Sequence, residues 1–378
     1  MTQVLTVPLA EGLAALLRGE SVSWAALGLE PGDFLTACVE EDLTGLVHRQ
    51  LAAAPPADWP RDVLGELERA ARADAAREAL RRRELIAVLD ALAGSGIRPI
   101  LLKGTPLAYT VYGEPSLRPR GDTDLLIRRE ERESVRRVLG ALGYEATNYS
   151  DGELLFHQFE MARNDAFGVA HALDVHWKIS TESVFADLLD YEELARESAG
   201  VPALGPNARG AGPVHALLLA CVHPVMHHRN WERLIWLYDI HLVASRLAPS
   251  ELDAFTGLAV RKGVARICAH ELDLARVRFG TRVPEPMLRT LRAPGRPEPS
   301  AAYLAPGRRW SDELLSNVRG LPRWSDRLRL LREVAFPAPG YMLRSYRLDA
   351  VAVAGALLPA LYLHRGLRGL WKVLRNRK

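Results

Sequence analysis

Arg118-Pro119-Arg120-Gly121-Asp122-Thr123-Asp124-Leu125-Leu126-Ile127 opens an apolar run with two carboxylates one residue apart, and its reading decides the fold. The run predicts a buried β-strand; strand side chains alternate, so Asp122 and Asp124 share a face. Two carboxylates on one buried face repel each other and lose hydration, so they stay ionised only with positive charge between them. A divalent metal is the simplest source of that charge. A short Asp-x-Asp pattern also begins many solvated turns, so the flanking sequence has to carry the weight.

Upstream, Gly96-Ile97-Arg98-Pro99-Ile100-Leu101-Leu102-Lys103-Gly104-Thr105 reads as a strand running into Pro106 to Tyr112, which has helical spacing. Strand, glycine, hydroxyl residue and helix start make a phosphate cradle. Gly104 lets a triphosphate approach the backbone, Thr105 and the free amides of a helix N-terminus donate to it, and Lys103 adds charge. Downstream, Ala170-His171-Ala172-Leu173-Asp174-Val175-His176-Trp177 alternates, so Asp174 and His176 share a face. If that strand pairs beside the one bearing Asp124, three carboxylates converge.

In this order the residues resemble the DNA polymerase β type nucleotidyltransferase superfamily. More closely they resemble a bacterial family of uncharacterised nucleotidyltransferases found among polysaccharide and peptide natural-product biosynthesis genes. That family's elements are matched by Lys103-Gly104, Tyr112, Arg118, Asp122-Thr123-Asp124-Leu125-Leu126-Ile127, Asp174-Val175-His176-Trp177, and His223 through Leu237-Tyr238-Asp239. Thr123 stands where the family usually has an aliphatic residue, and Thr105 where the superfamily often has Ser. The resemblance implies magnesium, or manganese in its place, on Asp122, Asp124 and Asp174, which are also the catalytic carboxylates. It implies an NTP contacted by Lys103, Gly104, Thr105, Arg118, His176 and His223. A nucleoside monophosphate would pass to a small molecule, a glycan or lipid precursor, a peptide or a protein, with release of pyrophosphate. The alternatives are a non-catalytic nucleotide sensor and a helical interaction module.

The implied fold is α+β: a small mixed β-sheet core over 96–200, flanked by helical regions over 1–95 and 201–378. Composition agrees, since 378 residues with 48% hydrophobic content fill a sizeable core. The net charge of +3 does not support dedicated nucleic-acid binding. Cys38, Cys221 and Cys268 are far apart without C-x-x-C spacing, which suits buried thiols in a reducing compartment. Met1 to Pro8 lacks a basic start and a long apolar stretch, so a cytoplasmic location is expected.

Apolar residues spaced by three and four predict helices at Leu13–Leu17, Phe34–Leu51 and Arg61–Leu92, with Pro55 and Pro56 as a break. The centre reads strand, helix, strand, a helix over Glu130–Leu142 ending at Gly143, then strands Leu154–Met161 and Val169–Trp177. From Val214 the chain is helical again; Arg292 to Pro306 breaks this region, and the part from Ser311 on is expected to pack back on it. His223 and His227 lie one turn apart there, but without the glutamate of a zinc protease, and Trp231, Trp236 and Tyr238 have core spacing. His157 and His176 are expected near the metals. Ala350 to Leu363 is too short and interrupted to span a bilayer, and the basic end after it, His364 to Lys378, suits either a frayed helix terminus or weak peripheral contact with an anionic membrane.

Overall fold

Alternation along three neighbouring strands separates a polar from an apolar face, and this places the site. The computed structural model describes residues 7–54, 56–147, 157–305, 310–321, 323–337, 339–346, 348 and 354–375. Its strands are β1 (Ile100–Leu101), β2 (Asp122–Leu126), β3 (Glu145–Ala146), β4 (Gln158–Asn164), β5 (Ala170–His176), β6 (Ala199–Gly200) and β7 (Arg209–Gly210). They form one mixed sheet in the order β3-β4-β5-β2-β1-β7-β6. The long strands β4, β5 and β2 are contiguous; β5 runs parallel to β2 and antiparallel to β4.

Leu125, Phe159, Met161, Leu173 and Val175 face one way, against Leu85, Val88, Leu89 and Leu92 of the helix Arg61–Gly94 and Val135 and Leu139 of the helix Arg132–Ala141. Each such side chain contributes about 1.5–3 kcal/mol when buried. Asp122, Asp124, Gln158, Asp174 and His176 share the opposite parity. A one-residue slip of β2 would drive Asp124 into the apolar layer, so burial fixes the register.

The flanking helices form a second core. Leu13, Phe34, Leu46 and Leu67 join Leu217, Leu237, Phe255 and Leu272 in one cluster, although about 200 positions separate the two groups. Trp24, Phe34 and Trp59 meet edge to face at 5.1–5.5 Å.

The helix expected over Arg61–Leu92 spans Arg61–Gly94. Phe34–Leu51, by contrast, is broken into helices Pro31–Glu40 and Thr44–Ala53, with Asp42 at φ 59° between them. The reason is tertiary. Buried Glu41 accepts from the amide of Leu234 at 2.8 Å and so caps the helix Leu234–Ala244, while Asp42 pairs with Arg233 at 3.0 Å. The helix expected over Glu130–Leu142 runs from Arg132 to Ala141 after a 3-10 turn, and Gly143 takes φ 83° beyond its end. The strand expected from Leu154 is seen from Gln158; residues 154–156 lie outside the described ones.

Beyond Arg292, a 3-10 segment Pro299–Leu304 leads to the last helices. These dock on the body where the amide of Ser183 donates to Asn317 at 2.7 Å. No helix among the described residues is long and apolar enough to cross a membrane.

Candidate active site

Parallel pairing of β2 and β5 sets Asp124 directly opposite Asp174. The Nε2 atom of His176 lies between them, 2.9 Å from Asp124 Oδ1 and 3.2 Å from Asp174 Oδ2. Lys103 Nζ stands 2.6 Å from Asp124 Oδ1, and Gln158 donates to Asp174 Oδ2 at 2.8 Å. One ligand atom each from Asp124, Asp174 and His176 fall within 4.8 Å of one another, a grouping that could hold a metal ion. Asp174 Oδ1 and His176 Nδ1 are buried without a hydrogen-bond partner. A buried carboxylate oxygen left open is expensive unless a cation or water meets it.

Electrostatics follow from this geometry. Burial alone would raise the Asp124 carboxyl, but Lys103 and His176 hold it well below the usual carboxylate range. Burial also disfavours the His176 imidazolium and the Lys103 ammonium, yet the carboxylates beside them raise both. Asp122 begins β2 at the exposed end of the strand and lies outside the close group. The protein packed around its carboxyl, and then the charge of Asp124, raise it.

Lys103 reaches Asp124 because of an unusual turn. It adopts φ 55° and ψ −135° between β1 and the helix Gly104–Thr110, a region that favours glycine. Strain of this kind costs about 1–3 kcal/mol and collects at functional sites. Next to it, a Cβ on Gly104 would stand 3.1 Å from the Arg118 guanidinium, so the backbone there approaches closely. Thr105 is buried in the first turn of the helix.

Arg118 is held in a buried fork: its Nε and Nη2 donate to Asp239 at 2.8–3.0 Å, and Tyr112 donates its hydroxyl to the same carboxylate at 2.7 Å. Arg120 pairs with Glu78 of the long helix at 2.7 Å. The loop entering β2 is therefore clamped from both helical flanks, which fixes where Asp122 and Asp124 begin.

His223 lies on the helix Pro213–His228, with His227 and His228 close by: His223 and His228 approach to 3.3 Å between Nε2 atoms, and His228 stacks on Trp236. Burial first, then Lys103, pushes all three down, His227 to about 3 and His228 to about 4, so they are neutral near pH 7. His227 meets the Ile179 carbonyl at 3.1 Å. A cavity of about 310 Å³ adjoins this region, and Lys103, Gly104, Arg118, His223 and Asp239 are among the residues that line it. Most of its remaining wall is apolar, including Leu107, Leu219 and Val243.

The structure thus gathers Asp124, Asp174, His176 and Lys103, sets Asp122 at the edge, and places Gly104, Arg118 and His223 around the adjoining cavity. His157 departs from expectation. Its charged neighbours are Lys178, Asp187 and Arg129, none of them in the group, and burial lowers it to about 4. Sequence reading missed Gln158, which its parity on β4 could have flagged, and the Tyr112–Arg118–Asp239 network, in which Asp239 lies more than 100 positions from the other two.

A family model described as uncharacterised nucleotidyltransferase matches residues 28–280. The chain belongs to this nucleotidyltransferase family. The match spans the whole group around Asp124 and the clamp on its loop, and the family name makes the chain a transferase enzyme. Nucleotidyltransferases generally act on NTPs with divalent metals, and the metal-compatible group of Asp124, Asp174 and His176 lies within the matched residues. No curated protein matches the chain.

Proposed function

We propose that this nucleotidyltransferase is of the DNA polymerase β type, moving a nucleoside monophosphate from an NTP such as ATP to a hydroxyl acceptor. The observation that carries this reading is the pairing of Asp124 with Asp174 on neighbouring parallel strands, beside the strained Lys103–Gly104 turn. The close donors are two carboxylates and one imidazole nitrogen, and the Asp174 oxygen that is buried and open suits a hard divalent cation. Asp122, Asp124 and Asp174 would hold magnesium or manganese, which when bound neutralises charge on the attacking and leaving oxygens.

The chain's own groups do the rest. His176 and Gln158 orient the carboxylates. Lys103, Gly104 and Thr105 receive the β- and γ-phosphates, and Arg118 and His223 border the space beside them. The acceptor oxygen forms a bond to the α-phosphorus while the bond to the β-phosphate oxygen breaks. Asp174 takes the hydroxyl proton, and pyrophosphate leaves.

In this reading residues 1–95 and 201–378 flank a core over 96–200, and the apolar cavity beside Lys103 receives part of the acceptor: a metabolite, a glycan or lipid precursor, a peptide or a protein. The three cysteines are free and buried, which supports a cytoplasmic setting, where NTPs are plentiful.

The test is transfer of label from α-labelled NTPs to species in a bacterial cell extract, by wild type and by Asp174→Asn, with magnesium present. Label moved to a new species by wild type alone supports the reading. Tight NTP binding by wild type without any transfer would replace it with the nucleotide sensor.

A further inference from the structure

We propose that the C-terminal segment docks the protein on an anionic bilayer surface, with the helix Leu358–Arg375 lying in the interface. Two independent observations point there. The first is charge. Residues 307–378 hold fifteen Arg and Lys against five Asp and Glu, so this segment carries +10 in a chain whose net charge is +3. The preceding 306 residues are therefore at −7, and the small overall charge hides a strong polarity. An anionic surface attracts one end of the molecule and repels the other, which orients it.

The second is exposed apolar surface in the same segment. Of thirteen large hydrophobic side chains exposed among the described residues, nine lie after position 310. On the last helix Leu363, Leu367 and Trp371 are 66%, 59% and 58% exposed. Their spacing of four puts them along one stripe. The same helix carries Arg365, Arg368, Lys372 and Arg375, together with His364, and has no acidic residue. The helix Trp324–Ala335 also exposes apolar side chains at helical spacing, Trp324, Leu328 and Leu331, with Arg323, Arg327, Arg329 and Arg332 against Asp326 and Glu333 in and beside it. The two helices are linked where Phe336 meets the Tyr362 ring at 5.8 Å and the Tyr362 hydroxyl donates to the Pro337 carbonyl at 2.5 Å.

An apolar stripe on a basic helix fits the boundary between lipid headgroups and acyl chains: the stripe leaves water and the cations meet lipid phosphates. The helix is too polar to cross the bilayer, so it lies on it. Paired Arg and Leu residues at a protein interface would need an acidic partner; the bilayer supplies both chemistries in one plane.

The test is cosedimentation of the full chain with vesicles of phosphatidylcholine alone or with about a third phosphatidylglycerol, at salt near 0.1 M and near 1 M, where the Debye length falls from about 10 to about 3 Å. We expect binding to the anionic vesicles only, weakened at high salt. Leu367→Glu should weaken it about tenfold or more, and Arg365→Glu with Arg368→Glu comparably. Leu367 and Arg368 are exposed and Arg365 is half-buried over the Tyr341 ring, so an unchanged thermal midpoint is the control that the variants are folded. Absence of binding by wild type overturns the proposal, as does equal binding to both vesicle types or full binding by Leu367→Glu. Retention on RNA without retention on vesicles would overturn it in favour of a nucleic-acid arm, and Leu367-dependent self-association without vesicle binding in favour of a dimer face.

Discussion

Replacing Lys103 by Met should tighten divalent-cation binding in the absence of nucleotide, although it removes a side chain from the site. The Lys103 ammonium lies 2.6 Å from Asp124 Oδ1 in a pair whose side chains are 21% and 6% exposed, so a cation using that oxygen has to displace it. A hydrogen bond to a charged group is worth about 1.5–3 kcal/mol, so its removal should strengthen binding about tenfold to 150-fold. Repulsion between the ammonium and a doubly charged ion acts in the same direction. Methionine keeps an unbranched stem and the same backbone constraint, so the turn at φ 55° is perturbed less than by glycine. With a triphosphate present the sign reverses, because Lys103 then has phosphate oxygens to meet and the variant has none. The assay is calorimetric titration of nucleotide-free protein with manganese, comparing wild type, Lys103→Met and Asp124→Asn. Tighter binding in Lys103→Met and loss in Asp124→Asn is the expected pattern. Unchanged or weaker binding by a folded Lys103→Met protein would refute the competition between Lys103 and the ion for Asp124.

Three further outcomes follow from burial. Asp239→Asn leaves the Arg118 guanidinium buried without its partner and should cost about 3–5 kcal/mol in denaturant unfolding, whereas replacing Arg118 and Asp239 together by Met and Leu should cost less than the sum of the single changes. Burial pushes Glu271 up to about 8 from a usual 4.5, so between those values the folded chain keeps a proton that the unfolded chain loses. Stability should therefore fall as pH rises through this window, by at most about 1.4 kcal/mol per unit, and Glu271→Gln should flatten that slope in unfolding measured at several pH values. Gly212→Ala would bring a Cβ within 2.1 Å of the Glu197 carbonyl oxygen; the backbone has to shift, and a loss of about 1–3 kcal/mol should appear as a lower calorimetric midpoint.

What could be read from the chain was what repeats along it. Alternation in Asp122–Ile127 and Ala170–Trp177 fixed which side chains share a face, and the directly opposed Asp124 and Asp174 follow once those strands are neighbours. The long helix was legible because its apolar spacing persists from Arg61 to Gly94. The turn that aims Lys103 at Asp124 was not, since a positive φ at lysine has no residue signature as it would at glycine. Nor was the break at Asp42 legible: local spacing continues through it, and Glu41 leaves the helix pattern only because the amide of Leu234, 193 positions away, requires an acceptor.

The clamp on the β2 loop gives the distant motif residues a common physical purpose. Tyr112, Arg118 and Asp239 stand outside the group of Asp124, Asp174 and His176, yet they close one buried network across the sheet core and the C-terminal helices. Buried ion pairs add little net stability compared with apolar replacements, so such a network is better understood as fixing position. Here the position is that of Arg118-Pro119-Arg120, which ends two residues before the first carboxylate, with Arg120 tied to Glu78 on the other flank. A phosphate that drew Arg118 wholly away would leave Asp239 buried and unpaired, at about 3–5 kcal/mol. One that met the Nη1 edge, now directed at the Pro119 carbonyl at 2.9 Å, would break no ion pair. Nucleotide contact through that edge would then load the same guanidinium that holds Asp239 of the helix Leu234–Ala244, and both residues line the cavity.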